Sequence, residues 1–357
     1  MQIMSKKGYL QKMKVSIGAK IIDGPWGGGN LFAKNLSNFL ISKGHNVVFD
    51  LNDIDIDIIL LTDPRKSSES STYTHEEIID YLQNINSNAV VIHRINECDE
   101  RKNTRGLNKF IINANKAADS TVFVSSWLMN LYQSQGQLIK ENLVILSGSD
   151  IKIFNREEIS KWDKTKKLKI VTHHWGTDKN KGFEIYKKID ELIDSPEFKN
   201  LIEFTYIGNL PKNLKFKNTT IIDPLEGLKL AEALKKNNLY ITASLNEPSG
   251  NHHIEAAQCG LPVMYIESGG VTEYCKGYGI PFTNDDLPEK IKLAMSKYDF
   301  YYEKMKTYPY SSDLMVEQYL TLMIELVGKR QDVSKNRNID EVKKLYLNRI
   351  IRKITKS

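Results

Sequence analysis

The chain has 357 residues, with 50 Lys and Arg against 44 Asp and Glu and a formal net charge of +6. This length predicts two domains, and 41 % hydrophobic with 26 % charged residues exclude disordered, collagenous and membrane classes. The charge is uneven: residues 329–357 carry ten Lys or Arg against three acids, and the first fourteen residues carry four lysines and no acid, which leaves a body at −5. A mildly acidic body argues against a nucleic-acid groove in the core, so no nucleic-acid partner is expected.

No run approaches the ~20 apolar residues of a spanning helix, and the charged N-terminus lacks a signal peptide's apolar stretch. Cys98, Cys259 and Cys275 show no CxxC spacing and read as reduced, buried thiols. These features predict a cytoplasmic protein. Residues 1–12 read as an extension of no structural consequence.

Short β-branched runs alternate with helical stretches. Strands are predicted at 15–18, 46–49, 56–61, 89–92 and 121–124, with helices at 31–43, 75–85 and 105–117. After a polar, Lys-rich stretch from Asn155 to Lys167 the alternation restarts, with strands at 168–172, 204–207, 219–222, 239–243 and 262–266. Helices follow at 182–193, 226–237, 251–259, 287–297 and 312–327. Continuous apolar runs suit parallel strands buried on both faces, and strand–helix alternation gives doubly wound α/β sheets. Two such halves with a hinge near 160 predict a cleft between domains, where ligands bind.

The main constellation is Glu247-Pro248-Ser249-Gly250-Asn251-His252-His253-Ile254-Glu255. A strand ends before it and a helix begins near Asn251, which places free N–H groups at the carboxyl edge of a parallel sheet, a ready anion site. Carboxylates beside an anion site are suited to accept hydrogen bonds from hydroxyls. On spacing alone, an N-capped helix with a surface acid at each end fits equally.

The segment Ser244 to Ala257, with Gly260-Leu261-Pro262-Val263 and Ser268-Gly269-Gly270-Val271-Thr272-Glu273, resembles the retaining glycosyltransferases of family 4. It contains their E-x7-E pattern, the small-residue helix after it and the G-x-P-V strand. The similarity extends over nearly the whole body through an N-terminal Gly-rich loop, the Gly44-His45-Asn46-Val47 turn and Lys181-Gly182.

The resemblance implies the GT-B fold: two Rossmann-like domains facing across a cleft, at 1–160 (acceptor) and 161–310 (nucleotide-sugar). A helix at 311–328 would cross back to the first domain, ahead of a tail at 329–357. It implies that Glu247 contacts donor-sugar hydroxyls, that Glu255 contacts the ribose, and that backbone N–H groups of Gly250, Asn251 and His252 hold the diphosphate. Ser268, Gly269 and Gly270 would wall the base and ribose.

Gly27-Gly28-Gly29-Asn30 lacks G-x-G-x-x-G spacing and reads as a close backbone approach to a ligand at a helix N-terminus. The resemblance sets it opposite the donor phosphate. His93, after the apolar run 89–92, would touch the donor sugar. Lys181 would neutralise the leaving diphosphate. The family pairs that lysine with an Arg six positions earlier, where this chain has Trp175. Lys179, His174 or Arg94 are the candidate replacements. Glu97, Asp99, Arg101 and Lys102 read as loop-ordering or acceptor-facing charges.

The pairs His173-His174 and His252-His253 are poor chelators, because neighbouring side chains diverge on a strand or helix, and no metal is expected. The sequence therefore predicts a retaining hexosyltransferase that moves sugar from a UDP- or GDP-linked donor to a glycan or lipid-linked acceptor in cell-surface polysaccharide synthesis. A GT-B epimerase or phosphorylase, and a non-catalytic nucleotide-sugar or glycan-binding protein, remain alternatives. The tail 333–357 reads either as an amphipathic basic helix lying on an anionic inner membrane face or as a helix packing on the first domain or a partner.

Overall fold

The computed structural model of the chain describes residues 12–22, 27–136, 142–335 and 337. Two six-stranded sheets organise them. The first contains β1 (Lys14–Ile17), β2 (Asn46–Val48), β3 (Ile58–Leu61), β4 (Val90–Ile95), β5 (Ser120–Phe123) and β6 (Asn142–Val144), in the order β2-β1-β3-β4-β5-β6. The second contains β7 (Leu168–His174), β8 (Ile202–Gly208), β9 (Thr220–Ile222), β10 (Leu239–Thr242), β11 (Val263–Ile266) and β12 (Gly279–Phe282), in the order β12-β11-β10-β7-β8-β9. Every pairing is parallel. In each sheet the strand order reverses beside the first strand of its domain. Carboxyl ends of strands at such a reversal form the binding crevice of doubly wound folds. This is the expected GT-B architecture of two Rossmann-like domains.

The central strands β3 and β4 are buried throughout, which explains their unbroken apolar runs. Two strands run past the apolar pattern into polar residues at their carboxyl ends. β4 continues through His93 and Arg94 to Ile95, and β7 through His173 to His174. Buried polar side chains at the carboxyl edge hid both extensions. The edge strands β6 and β12 are only three and four residues long, and β12 tolerates Pro281 because an edge strand has a free side.

The crossing helix Ser312–Gly328 completes the first domain's core. Met315, Val316, Tyr319, Met323 and Leu326 join Val15, Ile17, Phe32, Leu36, Ile58 and Ile92 in one cluster, with the Phe32 and Tyr319 rings 5.1 Å apart. Chain leaving the first domain meets chain returning to it at Ser149 and Ser311, where Ser312 N–H donates to Ser149 O at 2.8 Å. Of the tail, the helix Arg330–Lys335 and Arg337 lie among the described residues. Arg330 Nη2 is 3.0 Å from Asp57 Oδ1, and Arg337 is buried against Asp119 of the first domain, with Nη2 2.5 Å from Oδ2. The rest of the predicted amphipathic helix, and residues 1–11, lie outside the described residues.

Candidate active site

After β10 the chain passes through a loop braced from below. Asn246 adopts a left-handed conformation (φ 54°) and its N–H donates to Ser268 Oγ at 3.0 Å. Gly270 N–H donates to Glu247 O at 2.8 Å. A side chain on Gly269 or Gly270 would collide with this loop's backbone. Gly269 and Gly270 thus support the segment carrying Glu247. Helix Asn251–Gln258 follows, with Gly250 at its N-cap and Asn251 and His252 in its first turn. No side chain caps it, so its first turn is an open helix N-terminus of the kind that can receive an anion.

Lys181 closes a short 3₁₀ turn (Lys179–Lys181) after β7 and is 6 % exposed. Gly182 follows at φ 79°, and a Cβ there would stand 2.3 Å from Ala243 O, so only glycine lets this turn lie against the end of β10. The contact brings Lys181 Nζ onto Glu247 Oε1. Arg101, from the helix Asp99–Lys102 of the first domain, reaches the other oxygen, with Nε 3.2 Å from Oε2, while its Nη1 binds Glu97 at 2.9 Å. Burial works to raise the Glu247 carboxyl, but Lys181 and Arg101 overcome it and hold the group below its ordinary range. Glu247 is therefore ionised, buried and flanked by two cations.

Asn180 adds a second bridge, its Nδ2 donating to the carbonyls of Glu100 (3.0 Å) and Arg101 (2.9 Å). Gly28, in the first turn of helix Gly27–Ser42, meets Asn251 across the cleft. A Cβ on Gly28 would lie 3.0 Å from the Asn251 amide, so the Gly27-Gly28-Gly29 turn and the second-domain helix abut at their N-terminal ends.

Two histidine pairs dismissed as chelators converge at the carboxyl edge of the second sheet. The rings of His174 and His252 lie 4.8 Å apart. His174 Nε2 pairs with the Tyr186 hydroxyl at 2.7 Å, His252 Nε2 with Thr242 Oγ1 at 2.8 Å, and His173 Nε2 with Glu255 at 3.1 Å. Glu255 is thus engaged by His173. His253 is fully buried and neither ring nitrogen has a partner. Burial first, and then neighbouring positive charge, holds His174 and His252 well below the ordinary imidazole range; burial brings His253 to about 3. Among the described residues no group of three or more His, Cys, Asp or Glu is arranged to hold a metal ion.

His93 is 1 % exposed, its Nδ1 3.1 Å from Asn115 Nδ2, and burial lowers it to about 3, so the ring is neutral. Of the candidate cation replacements, His174 is a neutral, bonded core residue. Trp175 is 56 % exposed, its carbonyl accepting from Asn209 Nδ2 at 2.9 Å.

Three contacts lay beyond the sequence reading. Arg101 was one of several loop charges, with nothing to single it out. Glu273 crosses to the first domain and accepts from Ser126 N–H at 2.7 Å and its hydroxyl at 2.8 Å, at the start of helix Ser126–Gln135. Tyr274 donates its hydroxyl to Val124 O at 2.5 Å and accepts from Ser147 N–H at 2.8 Å.

No model of a known family matches the chain, and no curated protein matches it in sequence. Solved structures do match in fold. A glycosyltransferase from Rickettsia africae superposes with a TM-score of 0.65 at 13 % identity, covering 89 % of this chain and 99 % of the other. HepE from Anabaena, in complex with UDP and glucose, gives 0.63 at 12 % identity, covering 88 % and 100 %. An alpha-glucosyltransferase in complex with UDP and a 13-mer DNA gives 0.58 at 15 % identity, covering 87 % and 99 %. These neighbours are GT-B glycosyltransferases, and the chain shares their fold.

Proposed function

We propose that this chain is a retaining glycosyltransferase that moves a sugar from a UDP- or GDP-linked donor to a hydroxyl on a glycan or lipid-linked acceptor, in polysaccharide synthesis. The observation that carries the reading is the meeting of Lys181, Glu247 and the N-terminus of helix Asn251–Gln258 at one sheet edge, opposite the Gly27–Ser42 helix. That is a cation, a hydroxyl acceptor and an anion-binding helix end, the three functions a nucleoside-diphosphate sugar requires. The fold's occurrence in glycosyltransferases, two of them carrying UDP, supports it.

In this reading the domains divide at residue 160, with donor on 161–310, acceptor on 1–160, and the helix at 311–328 returning to the first domain. Gly250, Asn251 and His252 bind the diphosphate, Glu255 the ribose, and Gly269 and Gly270 support the base side. Glu247 accepts from donor-sugar hydroxyls. His93, oriented by Asn115, faces the sugar. The bond from the anomeric carbon to the diphosphate oxygen breaks, the acceptor oxygen bonds the same carbon on the same face, and the acceptor proton passes to the departing oxygen. Lys181 and the helix end hold the charge that develops, so no separate base is required.

The DNA in one neighbour belongs to that protein; the acidic body of this chain favours a glycan acceptor. Among the described residues no helix is long and apolar enough to cross a membrane. The reading places the enzyme in the cytoplasm, and the tail beyond 337 against an anionic surface. Product analysis of a nucleotide-sugar panel, with and without acceptor, tests the assignment. A product of inverted configuration would overturn the retaining mechanism, and tight nucleotide-sugar binding without turnover would favour a binding protein.

A further inference from the structure

Arg94 is the penultimate residue of β4, at the carboxyl edge of the first sheet, and is 4 % exposed. Its guanidinium carbon lies 4.0 Å above the Phe32 ring, one turn into the helix that begins at Gly27. Tyr319 of the crossing helix and Tyr274 of the second domain are the polar side chains facing it. Arg94 Nε has no hydrogen-bond partner, and the fully buried Tyr319 hydroxyl is turned toward the Arg94 guanidinium. Among the described residues no carboxylate pairs with Arg94, whereas Arg101 is matched by two and Arg337 by one.

Taking a guanidinium out of water without a counter-ion is costly, and such a group is retained where an anion completes it. Phe32 stacks on one face of the fork, leaving its edge donors for a planar or tetrahedral oxyanion. The Tyr319 hydroxyl beside it supplies one more donor. We infer that Arg94 and Tyr319 form a phosphate-binding site at the floor of the cleft, which supplies from the first domain the second cation that Trp175 denies the second domain. This rests on the glycosyl-transfer reading for its place in the reaction. Its ligand is a phosphate group, either of the donor's diphosphate or of a phosphorylated acceptor.

The test uses the full chain with Arg94→Met, Arg94→Lys and Tyr319→Phe. Free of ligand, Arg94→Met melts higher than wild type, because an apolar stem replaces an unmatched charge; a site that merely packs the core would melt lower. Calorimetry with UDP, GDP and their monophosphates forms one arm, and the melting shift given by inorganic phosphate forms the other. A roughly 10- to 100-fold loss of diphosphate affinity in Arg94→Met, with monophosphate affinity unchanged, assigns the donor. Unchanged nucleotide binding with the phosphate shift abolished assigns the acceptor. Arg94→Lys and Tyr319→Phe lose less in either case. An Arg94→Met protein that misfolds, or that keeps both diphosphate affinity and the phosphate shift, overturns the inference. If wild type binds no nucleotide, the glycosyl-transfer reading fails, and the phosphate arm alone still decides the role of Arg94.

Discussion

Arg101 of the first domain and Glu247 of the second close an ion pair across the cleft, Nε to Oε2 at 3.2 Å. The same carboxylate holds Lys181 on its other oxygen. The group proposed to receive donor hydroxyls thus ties the domains together. Donor binding has to exchange these contacts for contacts with sugar and phosphate.

Arg101→Gln removes the interdomain half of this network. Arg101 is partly exposed, so the stability cost is small, about 1 kcal/mol. The expected signature is mechanical: small-angle scattering gives a larger radius of gyration for the free variant, and saturating donor restores the wild-type value. An unchanged radius would show that Asn180, Glu273 and Tyr274 hold the cleft without Arg101.

Glu247→Gln leaves Lys181 buried without its counter-ion, and breaking a buried pair costs on the order of 3 kcal/mol. The second domain's melting transition falls accordingly. Lys181→Met in the same background recovers much of the loss, since both charges are then gone. If the double variant melts no higher than Glu247→Gln alone, the pair is not the source of the cost.

Acid weakens this fold by a route that can be read from its histidines. His45, His93, His174, His252 and His253 are all lowered by burial and stay neutral when folded, whereas in the unfolded chain they protonate near 6.5. The unfolded state therefore binds more protons below that pH. The stabilisation is fully present above 6.5 and is lost as pH falls toward the folded values, by roughly 1.4 kcal/mol per pH unit for each histidine. Glu247 adds to the loss only at lower pH, below the ordinary carboxylate range near 4.5. Denaturant melts between pH 7.5 and 5 check this; a flat profile contradicts the buried neutral cluster.

Arg337 carries a prediction about the tail. Its guanidinium lies on Asp119, 2.7 Å from Nε to Oδ1, and donates to the carbonyls of Ser87 and Ala89; Asp119 in turn accepts from Val91 N–H at 2.8 Å. Arg337→Ala strands a buried carboxylate between β4 and β5 and destabilises the first domain by about 3 kcal/mol. Truncation after residue 337 spares the fold, and lowers sedimentation with anionic vesicles if the remaining basic segment binds membrane. Equal sedimentation removes the membrane role.

Much of the fold was legible because parallel strands buried on both faces must be apolar without interruption, as Ile58–Leu61 and Leu239–Thr242 are. Where polar residues entered such strands, at His93-Arg94 and His173-His174, the pattern stopped early. The Glu247–Glu255 spacing marked the loop and helix of the site, and Gly28 marked a close approach, which is against Asn251. What spacing could not reveal was pairing across the cleft. Nothing local to Arg101, Glu273 or Tyr274 tells which residues some 150 positions away will face them. The meeting of the two histidine pairs depends likewise on β7 lying near the helix that follows β10.

The central claim is that the cleft around Lys181 and Glu247 cleaves a nucleotide-sugar. The most direct measurement is release of nucleoside diphosphate from a panel of UDP- and GDP-sugars by wild type, Lys181→Met and Glu247→Gln at a temperature where all three are folded. The account predicts release by wild type with at least one donor and a loss of at least about 100-fold in each variant. Equal release by the variants, or no donor consumed or bound by wild type, would contradict it.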